Sequence, residues 1–563
     1  MSIPRPTYVF ALKFVLFAVS AGLVLISLED TYTNAILISL AALVCGHIYQ
    51  IFVYPFYFSP LRHLPEPQGG KFPWAHAAIL GKVANGEAYK HWVNSIPNDG
   101  LIRFRVLLNQ ERILLSSPAA VREVLVTKCY DFDKDFQSNS LVREILGNGL
   151  LLASGEEHKR QKKIMQPAFQ YRHIKDLYPV FWSKALESVD CIYSEGCKLP
   201  GSKTPQFASD WTARVSLDII GLAGMGHDFN SIQDPGNELF KTHKILVKER
   251  PFFRWMALGF YVPIYWFFKL PIPLASKKQT RDAAKVLRDV ARDLIDEKNK
   301  DGQFGSDILS VAMKSGGFTN DELVNQMMTF LAAGHETTAV ALTWLVYHLG
   351  KNLDIQRKLC RELQTVIPRN GKSFTKVERL SRLVERNVAL PDYNKEFDPL
   401  ELDRLPYLNA VVNEILRFEP AVPKIIRVAQ NDVEICGTMI PKGTTVMMSV
   451  NGMNTNKDLW GDDSMEFKPE RWLNEHGEAS NSGGAVSNYA NMTFIHGPRG
   501  CIGKDFARSE ILCVVAAWYR RYTIALVNAD DEPKRTGYLS TRPADGLEVN
   551  FFPVTEPGTN SNC

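Results

Sequence analysis

Apolar residues recur along most of this chain with the three- to four-residue spacing of amphipathic helices. Strand patterns are short and cluster in two places, over 101–115, which predicts a hairpin, and over 425–450, with turns at Gly437 and at 441–443. The segment 368–407 is polar and is broken by Gly371 and Pro391, which predicts an exposed insertion. The helical spacing is clearest over 282–300, 321–349 and 354–366. We therefore expect a mainly α-helical fold with a minor antiparallel β-sheet.

The first sixty residues have a different pattern, with two apolar stretches over about 8–28 and 35–54. Crossing the hydrocarbon core takes about 20 apolar residues, so each stretch predicts a transmembrane helix, the first only if Lys13 reaches the interface. Glu29 and Asp30 lie between the stretches, whereas basic residues flank them on the outer sides, namely Arg5, Lys13, Arg62, His63 and Lys71. The positive-inside rule then places both flanks in the cytosol. A cleaved signal peptide is the alternative.

This pattern predicts three parts. Residues 1–58 form an N-terminal membrane anchor of one or two transmembrane helices, and residues 59–70 are a stiff linker because they contain Pro65, Pro67, Gly69 and Gly70. Residues 71–563 form a single large cytosolic domain without an internal repeat.

Composition narrows the class of protein. The 563 residues are 45% hydrophobic and 22% charged, which excludes a disordered chain, a collagen and a many-spanning transporter. The net charge is only +4, which argues against nucleic acid as a partner. The nine cysteines are scattered without a C-x-x-C pair, so neither a zinc ribbon nor a disulfide framework is indicated.

One cysteine, Cys501, has unusual surroundings. Glycines flank it in the stretch 494–503, Arg499 precedes it, and a helical pattern begins at Lys504. A cation and a helix N-terminus both favour a thiolate. Such a sulfur is a nucleophile, a redox sensor, a metal ligand or a plain buried cysteine. A nucleophile needs a base, and the nearby candidate is His496.

The same stretch resembles the haem-binding signature F-x-x-G-x-R-x-C-x-G of the cytochrome P450 (haem-thiolate monooxygenase) family. All five fixed positions match, at Phe494, Gly497, Arg499, Cys501 and Gly503. The resemblance implies haem b as cofactor, with Cys501 as the axial thiolate of the iron and Arg499 paired with a propionate.

A second match lies midway along the longest apolar segment, where residues 333–338 read AGHETT. They resemble the family's oxygen-binding motif A-G-x-[ED]-T. Gly334 leaves space beside the helix, and the Thr337 hydroxyl can bond back to a carbonyl and widen the turn. The resemblance implies that Glu336 and Thr337 relay protons to bound dioxygen. The alternative is an ordinary core helix whose regularity is reduced by Gly and Thr.

Two further motifs concern structure. Glu414 and Arg417 fit the family's E-x-x-R motif, and Arg471, in a P-E-R-W segment, completes the implied Glu–Arg–Arg network. Glu401 and Arg404 have the same spacing, and the choice of Glu414 depends on the Phe-Glu-Pro that follows it.

Other residues are expected at the propionates. The family's W-x-x-x-R helix is similar to 158–162, where His158 replaces Trp and Lys162 replaces the bidentate Arg. Arg427 stands where the family has another propionate-binding Arg. Solvated surface charges are the alternative for each.

The resemblance implies a monooxygenase that inserts one oxygen atom from O2 into a lipophilic small molecule. The apolar candidates for its pocket are Phe330, Ala333, Val422, Ile425 and Leu539. The chain is most similar to fungal membrane-bound enzymes of microsomal type, which implies the endoplasmic reticulum membrane and secondary metabolite or lipid metabolism.

Electrons have to come from a partner, because no G-x-G-x-x-G occurs in a βαβ context. The resemblance implies an NADPH-cytochrome reductase on the same membrane. We predict its docking surface at four basic residues, Lys159, Arg160, Lys163 and Lys504. Two other classes remain, a haem-thiolate enzyme that uses no external O2 and a non-catalytic haem sensor or lipid-binding membrane protein.

Overall fold

A computed structural model describes residues 31–134, 140–196, 205–238, 240–242, 275–302, 304–367, 397–537 and 539–554. The fold is mostly helical with small sheets, which confirms the fold class predicted from the sequence. The first predicted transmembrane helix, over 8–28, lies outside the described residues, as does most of the predicted insertion.

The helices run through the whole described chain. In order they are α1 (Thr31–Ile48), α2 (Ala77–Leu80), α3 (Glu87–Ser95), α4 (Pro118–Arg122), α5 (Ser140–Leu146), α6 (Gly155–Met165), α7 (Tyr171–Gly196), α8 (Ala208–Ile219), α9 (Ala275–Asp301), α10 (Ile308–Lys314), α11 (Asn320–Phe330), α12 (Glu336–Lys351), α13 (Leu353–Val366), α14 (Pro406–Phe418), α15 (Val450–Asn454), α16 (Lys457–Trp460) and α17 (Lys504–Arg521).

The strands are short, and most lie in the two regions that the pattern predicts. They are β1 (Leu101–Arg105), β2 (Glu111–Leu115), β3 (Phe132–Asp133), β4 (Gln206–Phe207), β5 (Lys424–Ala429), β6 (Val433–Ile435), β7 (Thr438–Ile440), β8 (Thr445–Ser449), β9 (Tyr522–Leu526), β10 (Arg535–Thr536), β11 (Arg542–Pro543) and β12 (Glu548–Pro553).

The largest sheet joins the two predicted strand regions in the order β1-β2-β8-β5-β3. β1 and β2 form the predicted antiparallel hairpin, with Arg103 opposite Ile113. β2 pairs in parallel with β8, and β5 pairs antiparallel with β8 and β3. This sheet therefore brings residues near 133 beside residues near 428.

The core is built around α12, whose residues are buried from Thr338 to Gly350. An all-round apolar helix of this kind occupies the centre of a large domain. α8, α14 and α17 pack against α12, and α7 packs along α17. The indole of Trp344 donates to the Thr541 carbonyl at 2.7 Å, which ties α12 to the segment before β11.

The C-terminal end of the predicted insertion is not exposed. Phe397 is buried against Trp182, with ring centroids 5.2 Å apart, and Leu402 is fully buried. The expectation of exposure is therefore wrong for 397–407, because a few apolar side chains in a polar stretch are enough to hold it on the core. Residues 368–396 lie outside the described part.

Among the described residues, one helix is long and apolar enough to cross a membrane, Leu37–Phe58, with a mean hydropathy of 1.8 and none of its most apolar 18-residue stretch buried. It consists of the end of α1 and a π-helical continuation, Tyr49–Phe58. The residues predicted as a linker lie against the sheet, since the Pro65 carbonyl accepts from the Arg103 amide at 2.9 Å.

A buried ion network holds α14 to the loops that follow the sheet. Glu414 accepts from Arg417 at 2.7 and 2.8 Å and from Arg471 at 3.1 Å. The indole of Trp472 donates to the same carboxylate at 3.0 Å. The side chains of Glu414 and Arg417 are both fully buried, so each charge depends on the other for compensation.

We expect Glu414→Ala to lower the free energy of unfolding by about 3–5 kcal/mol, because it leaves the buried Arg417 guanidinium without its carboxylate and removes one of the two carboxylates that Arg471 contacts. Chemical denaturation followed by circular dichroism measures the change. The matched control is Glu401→Ala, in the second E-x-x-R sequence, which is exposed. Equal stability losses in the two variants would contradict the network's role.

Candidate active site

The loop before α17 holds Cys501 in a fixed position. The Cys501 amide donates to the Phe494 carbonyl at 2.8 Å, and Gly497–Arg499 forms a 3-10 turn between them. Gly497 has φ +76°, and a Cβ at this position would lie 2.2 Å from the Leu125 carbonyl oxygen. Only glycine fits there, which is the physical reason for that position in the motif. Gly503 caps α17.

Cys501 has accessible surface, yet burial raises the pKa of its thiol. A side chain with both properties faces an internal space with little bulk water. The Gly503 amide and Lys162 oppose the shift, but burial outweighs them. The helix N-terminus and nearby cations thus act in the direction that favours a thiolate, but they do not outweigh burial in the protein alone. A further positive group, such as a metal ion, would favour the thiolate more strongly.

His496 does not support the nucleophile alternative. Its Nε2 lies 2.9 Å from the Asn491 carbonyl, and its ring packs on Tyr489 at 4.9 Å. Burial lowers the pKa of His496. The contacts of this imidazole are thus within its own loop.

Cationic groups surround the loop on one side. Arg499 is buried, reaches Asp133 at 3.3 Å and lies over the Tyr130 ring at 5.3 Å. Its Nε has no hydrogen-bond partner among the described residues, and the same holds for Nδ1 of the buried His158. The structure thus brings together the predicted residues Arg499 and His158, with two donor atoms unused.

The predicted residues Lys162 and Arg427 belong to the same group. The Lys162 ammonium donates to the Pro498 carbonyl, so α6 is attached directly to the cysteine loop. Arg427 is buried in β5 and donates to the Ile426 carbonyl at 2.7 Å. The Lys162 contact thus joins α6 to the loop, and Arg427 lies near enough to Arg499 for the two charges to interact.

The lowered pKa values indicate that few anionic groups lie near these basic side chains. Burial, then Arg499 and its neighbours, lowers the pKa of His158 to about 4. Burial and Arg499 lower the pKa of Arg427 to about 10. Burial, Arg427 and Arg499 lower the pKa of Lys134 to about 7. An anionic group bound here would relieve all three shifts.

Lys134 is a member of this group that the sequence analysis missed. β3 is only two residues long, and its pairing with β5 places Asp133 opposite Val428. So short a strand carries no periodic pattern, and no motif marks Lys134. A long-range pairing, not local sequence, brings it beside Arg427.

The oxygen-motif residues lie on a widened helical turn. The single helix predicted over 321–349 is divided into α11 and α12 by a π-helical segment, Leu331–His335. The Thr337 hydroxyl donates to the Ala333 carbonyl at 2.7 Å, as the sequence predicts. A Cβ on Gly334 would lie 3.0 Å from Ile220, so glycine permits close packing there. Single π-helical turns of this kind within a helix are frequent at functional sites.

Glu336 and Thr337 have different partners. The Glu336 carboxylate accepts from Ser540 at 2.6 Å and from Arg542 at 2.8 Å, which ties α12 to β11. A carboxylate in an ion pair is held ionised and in place. Any proton that it carries toward Thr337 therefore requires this ion pair to open.

Glu510, on α17, is a second residue that no predicted motif includes. Its carboxyl group is fully buried and accepts from the Ser216 hydroxyl, and Thr338 is its other polar neighbour. Burial raises its pKa to about 8, so it is largely protonated at neutral pH. It links α17 to the residue that follows Thr337.

The predicted pocket residues lie in three segments of the chain. Phe330 is buried at a T-shaped contact with Phe169, 5.5 Å between centroids, and Ala333 follows it on the π-helical turn. Val422 lies just before β5 and Ile425 near its start, and both side chains are half-buried. Leu539 is 58% exposed, between β10 and β11. The Thr541 amide donates to the Ala421 carbonyl at 3.0 Å, so the segments that contain Val422 and Leu539 lie beside each other.

Comparison with known proteins gives the same family that the sequence motifs resemble. The family model for cytochrome P450 matches residues 102–551. Cytochrome P450 monooxygenase sphH of Aspergillus fumigatus is 40% identical over 526 residues, covering 90% of this chain and 91% of the relative.

Two other fungal relatives are each 34% identical. Cytochrome P450 monooxygenase FUM15 of Gibberella moniliformis matches 90% of this chain and 91% of its own length, and buaD of Petromyces alliaceus matches 92% of both. Members of this family generally hold a haem through a cysteine thiolate. The chain belongs to the cytochrome P450 monooxygenase family.

Proposed function

We propose that this protein is a haem monooxygenase that inserts one oxygen atom from O2 into a lipophilic small molecule in fungal secondary metabolite or lipid metabolism. The observation that carries the proposal is the Cys501 loop, whose sulfur faces an internal space beside a group of cations short of anions. The apolar surroundings of Phe330 and Ala333 support a lipophilic substrate.

The described residues fit haem b. The two propionates of haem would supply negative charge to the basic group formed by Arg499, Arg427, His158, Lys134 and Lys162. The unused donor atoms of Arg499 and His158 support this pairing. Cys501 would hold the iron, since the metal would supply the positive charge that its buried thiolate needs. When bound, a haem with a thiolate ligand supplies oxygen activation, because the thiolate favours O–O cleavage.

The protein's own contribution is position and protons. The loop fixes Sγ of Cys501, and the π-helical turn at Leu331–His335 is the proposed wall of the oxygen site. The proposed role of the Thr337 Oγ1 is to hold a proton at the oxygen site, with Glu336 Oε1 as donor when Arg542 releases it. Phe330 and Ala333 would exclude bulk water.

A haem-thiolate enzyme without external O2 is the second candidate, and a non-catalytic haem sensor or lipid-binding protein is the third. The presence of both Glu336 and Thr337 favours the monooxygenase, because the second class needs no proton relay. Dependence of turnover on NADPH and O2 separates the first candidate from the other two.

We expect Cys501→Ser to abolish turnover and the thiolate-type absorption band of the reduced carbon monoxide complex, because a serine oxygen donates less electron density to the iron. The measurement is a reduced carbon monoxide difference spectrum of purified protein. Cys436→Ser, at an exposed cysteine, is the matched control and should retain both. A thiolate-type band in Cys501→Ser would refute the ligand assignment.

We expect Thr337→Ala to retain haem but to divert electrons to peroxide, since it removes the hydroxyl at the widened turn. The ratio of peroxide formed to NADPH consumed should rise about tenfold. Thr343→Ala is the matched control, because Thr343 makes the same bond, to the Ala339 carbonyl at 2.8 Å, six residues further along α12. Full coupling in Thr337→Ala would show that the relay is elsewhere.

An NADPH-cytochrome reductase at the endoplasmic reticulum membrane is the proposed electron donor, with the domain in the cytosol. Of the four predicted docking residues, Lys159 pairs with Glu156, and Arg160 pairs with Glu157 and Glu322. Lys163 and Lys504 are exposed beside the elements that hold the cysteine loop. These two are therefore the stronger candidates for docking an acidic partner.

We expect Lys163→Glu combined with Lys504→Glu to slow haem reduction by the reductase about tenfold at low salt, because the reversal repels an acidic surface. Stopped-flow reduction at several ionic strengths measures the rate. Lys442→Glu, at an exposed turn before β8, is the control. An unchanged rate with no dependence on salt would contradict this docking surface.

A further inference from the structure

The glutamate of the Phe-Glu-Pro sequence, directly after α14, joins three elements of the fold. Glu419 is buried and accepts from both Nη atoms of Arg535, in β10, at 2.6 and 2.7 Å. Nε2 of His348, on α12, lies 3.1 Å from the same carboxylate. Burial acts to raise the pKa of Glu419, but the hydrogen bonds from Arg535 and His348 outweigh it and lower the pKa to about 2. The carboxylate is therefore ionised at neutral pH.

Arg535 also connects the hairpin β10–β11 to α12. Its guanidinium lies 4.4 Å from the centre of the Trp344 ring, and the indole of Trp344 donates to the Thr541 carbonyl just before β11. Trp344 and His348 are four residues apart, so they lie on the same face of α12. A bidentate pair between arginine and carboxylate fixes direction as well as distance. The ion pair therefore sets where β10 lies on this helix.

The residues between the two strands are held closely, with one exception. Ser540 is 4% exposed and Thr541 7%, whereas the large apolar side chain of Leu539 is 58% exposed. A Cβ on Gly537 would lie 1.8 Å from the Ser540 carbonyl oxygen, so the connection is closed tightly there. A fixed backbone that leaves one apolar side chain open is the arrangement expected where that side chain contacts a ligand.

The hairpin carries one ion pair on each strand, and the two pairs have different neighbours. Arg542, in β11, pairs with Glu336 of the oxygen motif at 2.8 Å. Arg535, in β10, pairs with Glu419, outside that motif. A change at Arg535 therefore alters the position of the hairpin without removing a group of the proposed proton relay.

We propose that Arg535 and Glu419 are positioning residues for substrate selection, which fix the hairpin β10–β11 on α12 so that Leu539 takes one position and selects ligands by size. This inference rests on the proposed function, in which Leu539 lines the substrate pocket. It gives the Phe-Glu-Pro glutamate a role in specificity, although neither Glu419 nor Arg535 is expected to touch the substrate.

The test uses two ligands of haem iron that differ in size, imidazole and 4-phenylimidazole, with the purified, haem-loaded full chain. The shift of the haem absorption band on titration gives the Kd of each ligand. We expect Arg535→Lys, which keeps the charge but loses the bidentate geometry, to change the ratio of the two Kd values about tenfold, the effect of about one methylene group in an apolar pocket. The Kd of imidazole should change little, so the change should come from the larger ligand.

Two further variants show whether the effect passes through Leu539. Leu539→Ala should change the same ratio, and in that background Arg535→Lys should have little further effect, because residues that act through one contact are not additive. Glu419→Gln keeps the shape of the side chain but removes its charge. It should change the ratio as Arg535→Lys does.

The matched control is Lys298→Ala, which breaks an ion pair between α9 and the start of α10. Lys298 and Asp307 are 2.9 Å apart and their side chains are 16% and 7% exposed, against 21% and 9% for Arg535 and Glu419. The control should lower the thermal stability of the protein and leave the ratio unchanged, because a purely structural ion pair affects stability alone.

Three results would overturn the inference and leave the proposed function intact. They are an unchanged ratio in both Arg535→Lys and Glu419→Gln, an equal change in the Lys298→Ala control, and an undiminished effect of Arg535→Lys in the Leu539→Ala background. Failure of the unchanged protein to bind either ligand at a haem iron would instead contradict the proposed haem site, and this inference with it.

Discussion

The position of Cys501 is the constraint on which the rest of the site depends. A loop that requires glycine at 497 holds the sulfur at the start of α17, and the Phe494 carbonyl fixes the cysteine amide. α17 is itself packed against α7 and α12, so the core of the domain determines where the sulfur lies. A ligand for haem iron must be placed in this way, because the metal's chemistry depends on its geometry.

The second element is electrostatic. Four basic side chains and His158 meet beside the loop, with Asp133 as the carboxylate in contact with Arg499. Burial and neighbouring cations lower the pKa of Arg427, Lys134 and His158, so the folded protein carries a free-energy cost that an anionic cofactor would reduce. We therefore expect folding and haem binding to be coupled. Lys162, where the family motif has Arg, donates to the Pro498 carbonyl.

The predictions from the sequence are correct where a motif or a periodic pattern lies within one short segment of the chain. The hairpin β1–β2, the strands after Ile425, the helix around Thr337 and its bond to the Ala333 carbonyl all follow from residues close together in the chain. It failed where distant segments meet. Lys134 reaches the site through a two-residue strand, Arg542 takes the Glu336 carboxylate from across the fold, and Phe397 buries a stretch that reads as polar.

The central claim is that the Cys501 sulfur is bonded to the iron of a haem. X-ray absorption at the iron edge of the purified wild-type protein tests this most directly, because it distinguishes sulfur from nitrogen and oxygen among the atoms bound to the metal. The account predicts one sulfur neighbour in addition to the porphyrin nitrogens. An iron shell of nitrogen and oxygen alone, or protein without iron, would contradict it.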